Sequence, residues 1–465
     1  MIKLITKLGL LCLLQLIMLP VQATLSLEEF GNRIVQLNLN KPTTVDFKRQ
    51  VITENSVPLT LLDAIRLAVE NNENFRLNVV DLLRTDLAYQ QSMELYKSDY
   101  RLQLRAGFQE QDFDDSSAAG VFVDDRSVTG VQATWTPPWW HKNEFKFDSE
   151  IASMQSRITK YRLVEAYREL ALEIYEAYFD VVLQEEKVAI EEDSLSVARQ
   201  QLQNIQEEYK LGNASRLTFL SEESNLLDRF VQYNDAIQVL IETRNLLFET
   251  IGFQASDKFT LMDRLDLQST DINITDWSLV NDPIAQELTI LAKQQQVEIQ
   301  KLSKKWKPKL EIQGIYAPTV KDQFNNGTDE EFSFSGVNAQ LSVAIPNFGA
   351  DEKQLAMLQQ DLAHHENQLS AHQTDRDIRL KSLTKQEAQI SEKLQLLTDL
   401  VIKKKQEVKS AREGYEIGKL TSLELRYFEN NAHDAQTEYL QALYDQMSVS
   451  AQIRKLMGRE LVRLF

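Results

Sequence analysis

The chain has 465 residues, more than one ordinary domain needs, yet only 14 Gly and 9 Pro interrupt it. Such sparse punctuation predicts a few long elements rather than many short ones. A formal charge of −18 and a pI near 4.9 exclude nucleic acid as a partner, because backbone phosphates require a basic face.

Lys3 and Lys7 precede an apolar run from Leu8 to Leu19, followed by Pro20, Val21, Gln22 and Ala23. This is the make-up of a secretion signal, so residues 1–23 are expected to be removed. The one cysteine, Cys12, lies inside it. Leu10 and Leu11 do not supply the small residue that a lipid-attachment cysteine needs before it. Beyond the signal no run of 18 apolar residues exists, so no transmembrane helix is expected. Residues 24–57 read as an N-terminal arm, with Leu27, Phe30, Ile34 and Leu37 in a short amphipathic pattern.

From Pro58 the apolar spacing becomes three and four (Leu61, Ile65, Ala68, Val69, then Val79, Val80, Leu83, Leu87), predicting one helix to about Lys97. The period then falls to two. Tyr100, Leu102, Leu104, Ala106 and Phe108 alternate with polar residues, as do Val131, Ala133 and Trp135. These are two strands, at about 100–111 and 128–137, with Asp112–Ser127 read as a loop. From Trp139 to Leu211 there is neither Gly nor Pro, which predicts a helix on the order of 100 Å long. Compact domains do not hold such helices; coiled coils and tubes do. A turn at 209–217 and a return helix from Asn213 to Ile251 complete the unit, with Gly252 placed as its C-cap.

Residues 253–280 link this unit to another like it, opened by Pro283. Strands are expected at about 309–317 and 332–345 around a loop at Pro318–Glu331. A long helix from Ala350 to Glu413, a turn at 415–423, a return helix from Lys419 to Met457 and Gly458 follow. The match has a fixed offset of 206: Tyr209 and Gly212 meet Tyr415 and Gly418, and Gly252 meets Gly458. Ile174, Ala177, Val181, Val188, Leu195, Leu202 and Ile205 likewise meet Leu380, Leu383, Glu387, Leu394, Val401, Val408 and Ala411. The fold is therefore two copies, residues 58–252 and 281–458, with a tail at 459–465. Alternation alone fits an ordinary half-buried sheet. Tyr100, Trp135, Trp139, Trp140 and Tyr316 near the strand ends shift the reading toward a membrane-interface girdle.

In this order the elements resemble the TolC-like outer membrane efflux proteins, over roughly residues 58–458. The local marks are Leu61, Ala64, Leu67, Ala68, Asn71 and Asn72, then Pro346, Asn347, Phe348 and Gly349, and the two turns ending at Leu217 and Leu423. Pro137, Pro138, Trp139 and Trp140 depart from the family pattern after the first hairpin. The resemblance implies a mostly α fold with a small β part. As a homotrimer it would form a 12-stranded outer-membrane β-barrel continued by a periplasmic α-helical barrel. Four strands per chain agree, since they cannot close a barrel alone. The implied function is a passive exit duct for a tripartite efflux or type I secretion system. Its partners would be a periplasmic adaptor (membrane fusion) protein, an inner-membrane pump of the RND, ABC or similar class, and outer-membrane lipid. The alternative is a periplasmic coiled coil that binds partners without conducting.

The resemblance also assigns sites. Adaptor contacts would fall at Gly212, Ala214, Ser215, Leu217, Gly418, Leu420, Thr421 and Leu423. A periplasmic gate would involve Tyr415, with Thr218 where the family carries a carboxylate, and acidic ring positions at Glu424 and Tyr427, the second uncharged here. A Tyr415 to Thr218 contact is the expected latch. His141, His364, His365, His372 and His433 are scattered, and the pair His365 and His372 reads as a solvated helix face. No enzyme activity, cofactor or metal site is expected.

Overall fold

In the computed structural model the described residues are 31–33, 57–97, 99–110, 123–136, 142–253, 259–265, 281–303, 309–324, 329–342 and 348–459. The expected signal with Cys12, Trp139, Trp140 and most of the arm and linker lie outside them. The elements are β1 (Val57–Leu59), α1 (Leu61–Asn71), α2 (Glu73–Lys97), β2 (Asp99–Glu110), β3 (Val123–Thr136), α3 (Lys142–Lys210) and α4 (Arg216–Ile251). Then come β4 (Phe259–Leu261), α5 (Pro283–Ser303), β5 (Lys309–Phe324), β6 (Asp329–Ser342), α6 (Phe348–Glu416) and α7 (Ser422–Leu456). The duplication is literal: α3 and α6 each have 69 residues, and the return helices α4 and α7 have 36 and 35.

The chain divides into two units, Met1–Arg76 with Leu163–Pro283 and Gln386–Phe465, and Leu77–Arg162 with Ile284–Lys385. The first is a helical bundle. Ile174, Val181, Leu195 and Ile205 of α3 are buried, as are Leu394 and Ala411 of α6, so the repeated heptad positions form its apolar seam. The return helix α7 touches each of the others through polar pairs. Lys187 of α3 donates to Gln441 at 3.0 Å, Arg426 donates to Ser221 of α4 at 3.3 Å, and Lys393 of α6 lies 2.9 Å from Glu438.

A second core closes the base of this bundle. Ala64, Ile65, Ala68 and Val69 of α1 are buried, as are Leu247, Phe248 and Ile251 of α4. Each large side chain buried there contributes roughly 1.5–3 kcal/mol of apolar burial. Gly252 caps α4 at φ 91°, and a Cβ there would stand 2.7 Å from the Asn71 carbonyl oxygen, so the close approach of α1 and α4 requires glycine. Where the arm meets the first repeat, β1 pairs in parallel with β4 of the linker, Val57 with Phe259 and Leu59 with Leu261. Tyr178 of α3, fully buried, joins them: its hydroxyl donates to the Leu59 carbonyl at 2.8 Å and accepts from the Met262 and Asp263 amides at 3.2 and 3.3 Å. Burial pushes this phenol above the ordinary tyrosine range. Tyr178→Phe takes from the Asp263 amide the acceptor that the phenol gives it, while the Leu59 carbonyl and the Met262 amide keep their 3.2 Å bond to each other, and should cost about 1 kcal/mol in urea unfolding monitored by circular dichroism. An unchanged midpoint and slope would show the hydroxyl to be idle.

The expected single helix from 58 to 97 is two helices. Asn72 accounts for the break: its amide donates to Ala68 O to finish α1, and its side-chain oxygen accepts from Phe75 N to start α2. Its side-chain nitrogen donates to Thr250 O at 2.9 Å, tying the break to the end of α4. Apolar periodicity runs through such a joint without marking it.

The other unit carries a four-stranded antiparallel sheet in the order β2-β3-β5-β6. The repeats join through β3 and β5, where Trp135 meets Ile312 and Ala133 meets Gly314. Strands are longer than composition suggested. β3 begins at Val123 rather than 128, and β5 runs to Phe324 rather than 317, so both expected loops shrink. Asp and Ser residues suggested solvent loops, but ladder bonds to neighbouring strands hold them in the sheet. Pro318, which cannot donate to a ladder, falls at the irregularity between Ala317 and Val320. At the other ends the described parts of β3 and β6 reach Thr136 and Ser342, and the expected ends at 137 and 345 lie outside the described residues.

Candidate functional site

The sheet is inverted relative to one that stands in water. Along β6 Val337 is 81% exposed, and its register partner Gly314 pairs with Ala133, also exposed. In the next row Tyr316, paired with Val131, is 57% exposed. On the alternate positions Gln132 is only 3% exposed and its Oε1 finds no hydrogen-bond partner among the described residues. A water-soluble antiparallel sheet would cover its apolar face and wet its polar one. Of the expected girdle, Tyr100 and Trp135 occupy one register row, while Tyr316 sits opposite Val131, four residues along β3 from Trp135. No described helix is long and apolar enough to cross a membrane.

The two helix turns are built alike. At the end of α3, Gly212 N donates to Tyr209 O at 3.0 Å and Asn213 N to Glu208 O at 2.8 Å. At the end of α6, Gly418 N donates to Tyr415 O at 2.9 Å and Lys419 N to Gly414 O at 2.8 Å. Both glycines have positive φ, 81° and 72°, and an added Cβ at either would meet nothing within 4 Å. Backbone conformation, not space, selects glycine there. Ser215 and Thr421 then cap α4 and α7, accepting from Thr218 N at 3.1 Å and Glu424 N at 3.3 Å.

What these turns present is apolar. Leu217 and Leu423, in the first turns of α4 and α7, are 79% and 66% exposed. Leu211 and Ile417, which the sequence reading did not select, are as exposed as these. Each directly precedes the turn glycine and lies off the heptad seam, a signal that could have found them. Leu420 differs: it folds back over Gly414, where an added Cβ would stand 3.0 Å from its Cδ1. Ala214 is partly covered and Ser215 exposed.

Of the gate residues, Thr218 and Tyr415 have separate surroundings within the chain. Thr218 Oγ1 lies 2.9 Å from its own cap, Ser215 Oγ, and no bond to Tyr415 forms among the described residues. Tyr415 is half-buried instead. Burial raises its pKa, and the Glu208 and Glu222 carboxylates raise it further. Glu222 is 2% exposed and its Oε1 has no hydrogen-bond partner among the described residues. It stands one helical turn beyond Thr218 on the same face of α4, so a carboxylate does approach the tyrosine, displaced by four residues. Glu424 is exposed and engaged in a capping box: its Oε2 accepts from Thr421 N at 2.8 Å. That backbone bond, with the Thr421 hydroxyl adding to it, holds its pKa below the usual carboxylate range. Tyr427 is 64% exposed, edge-on to Phe428.

By sequence, no family model matches the chain, and no curated protein matches it either. Solved structures do match. The Campylobacter jejuni CmeC outer membrane channel aligns at TM-score 0.71 and 13% identity, covering 86% of this chain and 85% of that one. The outer membrane protein VceC from Vibrio cholerae aligns at TM-score 0.68 and 12% identity, covering 86% and 97%. The open state of the Neisseria gonorrhoeae MtrE outer membrane channel aligns at TM-score 0.67 and 16% identity, covering 87% and 90%. The chain thus has the fold of the TolC-like outer membrane channels.

Proposed function

We propose that the chain is one third of a passive exit duct in the outer membrane of a Gram-negative bacterium. The single observation that carries this reading is the inverted sheet, with Val337 and Tyr316 exposed while Gln132 is covered. Lipid accepts that arrangement and water does not. Within one chain β2 and β6 are the sheet's edges, and an open edge cannot stand in hydrocarbon. Other copies must close it. Two copies would give about eight strands and a lumen filled by side chains, whereas three give about twelve and leave a passage. The 69-residue helices α3 and α6 continue the passage through the periplasm. An adaptor protein would engage the helix tips, and an inner-membrane pump would supply the cargo. No catalytic step is assigned to the chain.

Purified protein in planar bilayers tests this. Trimers should insert and conduct, and trimers that insert without conducting under any voltage or tip substitution would reject the duct. In the same recordings Glu424→Gln asks whether three such carboxylates ring the constriction. If they do, cation preference and block by multivalent cations both fall several-fold. If neither moves, Glu424 serves only its cap on Thr421.

A further inference from the structure

In the bundle unit, α3, α4, α6 and α7 line a half-open cavity of about 280 Å³ whose lining includes Glu186, Asp193, Arg229, Arg412, Glu429 and His433. Most of these charges are engaged. Arg412 Nη2 lies 3.0 Å from Glu429 Oε1, Gln201 donates to the other oxygen of Glu429 at 2.8 Å, and Arg229 donates to Asn430. His433 makes a different kind of link. From α7 its Nε2 reaches 2.9 Å from Oε1 of Glu191 on α3, and both side chains are only 16% exposed. The approach is off the axis of the ring N–H, so charge rather than an aligned hydrogen bond carries it. Among the described residues Glu191 Oε2 is buried without a hydrogen-bond partner, and His433 is the cation in contact with this carboxylate.

We infer that His433 and Glu191 form a pH-dependent strap, which ties the return helix of the second repeat to the long helix of the first in acid and releases it in alkali. Charged groups from all four helices line the cavity beside the imidazole. On α3 Glu186, Glu191 and Asp193 face it, on α4 Arg229, on α6 Arg412, and on α7 Arg426 and Glu429. Asp434, 3.6 Å from Nδ1, is exposed. The contact with Glu191 raises the His433 pKa, burial opposes it, the Glu191 charge adds to the rise and Arg229 subtracts. A folded pKa above the unfolded value means that the tie is fully present below about pH 6.5 and is lost as pH climbs through the raised value. The cavity beside the imidazole gives α7 room to move once the charge is gone. The strap concerns packing inside one chain, so it stands or falls separately from the duct.

The test uses the purified full chain in detergent, followed by hydrogen exchange of the α7 amides around Ala432–Gln436 at about pH 6 and about pH 8.5, corrected for intrinsic rates. The wild type should lose protection at the higher pH, about tenfold in opening equilibrium for each unit by which the pKa is raised. His433→Gln and Glu191→Gln should each flatten that response and match the wild type's alkaline level at both pH values. Should His433→Gln fail to fold, Glu191→Gln reads the same link from the other side. A wild type with equal protection at the two pH values, or variants that keep the full response, would overturn the strap.

Discussion

Val337→Arg leaves the helical bundle folded and keeps the chain out of lipid. Val337 lies inside the 14-residue strand β6 and is 81% exposed, so an arginine there disturbs no packing within the chain. On the lipid face of a barrel a cation costs about 2–4 kcal/mol near the bilayer midplane, less toward the interfaces. Three copies of the strand sum this to roughly 6–12 kcal/mol, a loss of about ten-thousandfold or more in insertion. Gln313→Arg in β5, on the alternate, polar set of positions, is the control and should insert normally, since lumen-facing charge is tolerated. Flotation with liposomes and helical circular dichroism read the two halves of the prediction. Flotation of Val337→Arg equal to the wild type would mean that the exposed apolar face meets something other than lipid.

The double variant Leu217→Asp, Leu423→Asp gives the second large effect. Both leucines are well exposed, and both occupy the first turn of a helix, just after the caps Ser215 and Thr421. A carboxylate there complements the helix dipole, so stability should hold or rise by a few tenths of a kcal/mol. An apolar docking surface, by contrast, would lose its anchors and bury two charges. Co-purification of the adaptor with tagged trimers should fall by at least about a hundredfold, as roughly 3 kcal/mol of lost contact implies. Export should fall with it. Gly212→Asp and Gly418→Asp probe the same surface less cleanly, because positive φ adds about 1 kcal/mol of strain even with open space around each Cβ. Normal export in the double leucine variant would reject the tips as the adaptor's site.

Periodicity and duplication made most of the architecture legible in the chain itself. A run from Trp139 to Leu211 without Gly or Pro could only be a long helix, and the offset of 206 fixed two copies of helix, hairpin, long helix and return helix. Alternation located four strands, and the paired glycines located the tips. Apart from the offset itself, which compares two stretches of the chain, these are local patterns set by residues within a few positions of each other. Whatever depended on partners distant in sequence was decided by the tertiary structure. The break at Asn72 is tied to the distant Thr250 carbonyl, which takes its side-chain nitrogen, and β3 starts at Val123 because Phe324 of β5 pairs with it there. Nothing near Tyr178 in the sequence marks its role, which comes from the Leu59 carbonyl of β1 and the Met262 and Asp263 amides just after β4 meeting its hydroxyl. Matching positions to the family offered Thr218 as the partner of Tyr415, whereas packing brings Glu222 toward it, one turn further along α4. The strap of His433 on Glu191 joins residues 242 positions apart, and a local pattern carries no trace of such a pair because only the bundle's packing sets their distance.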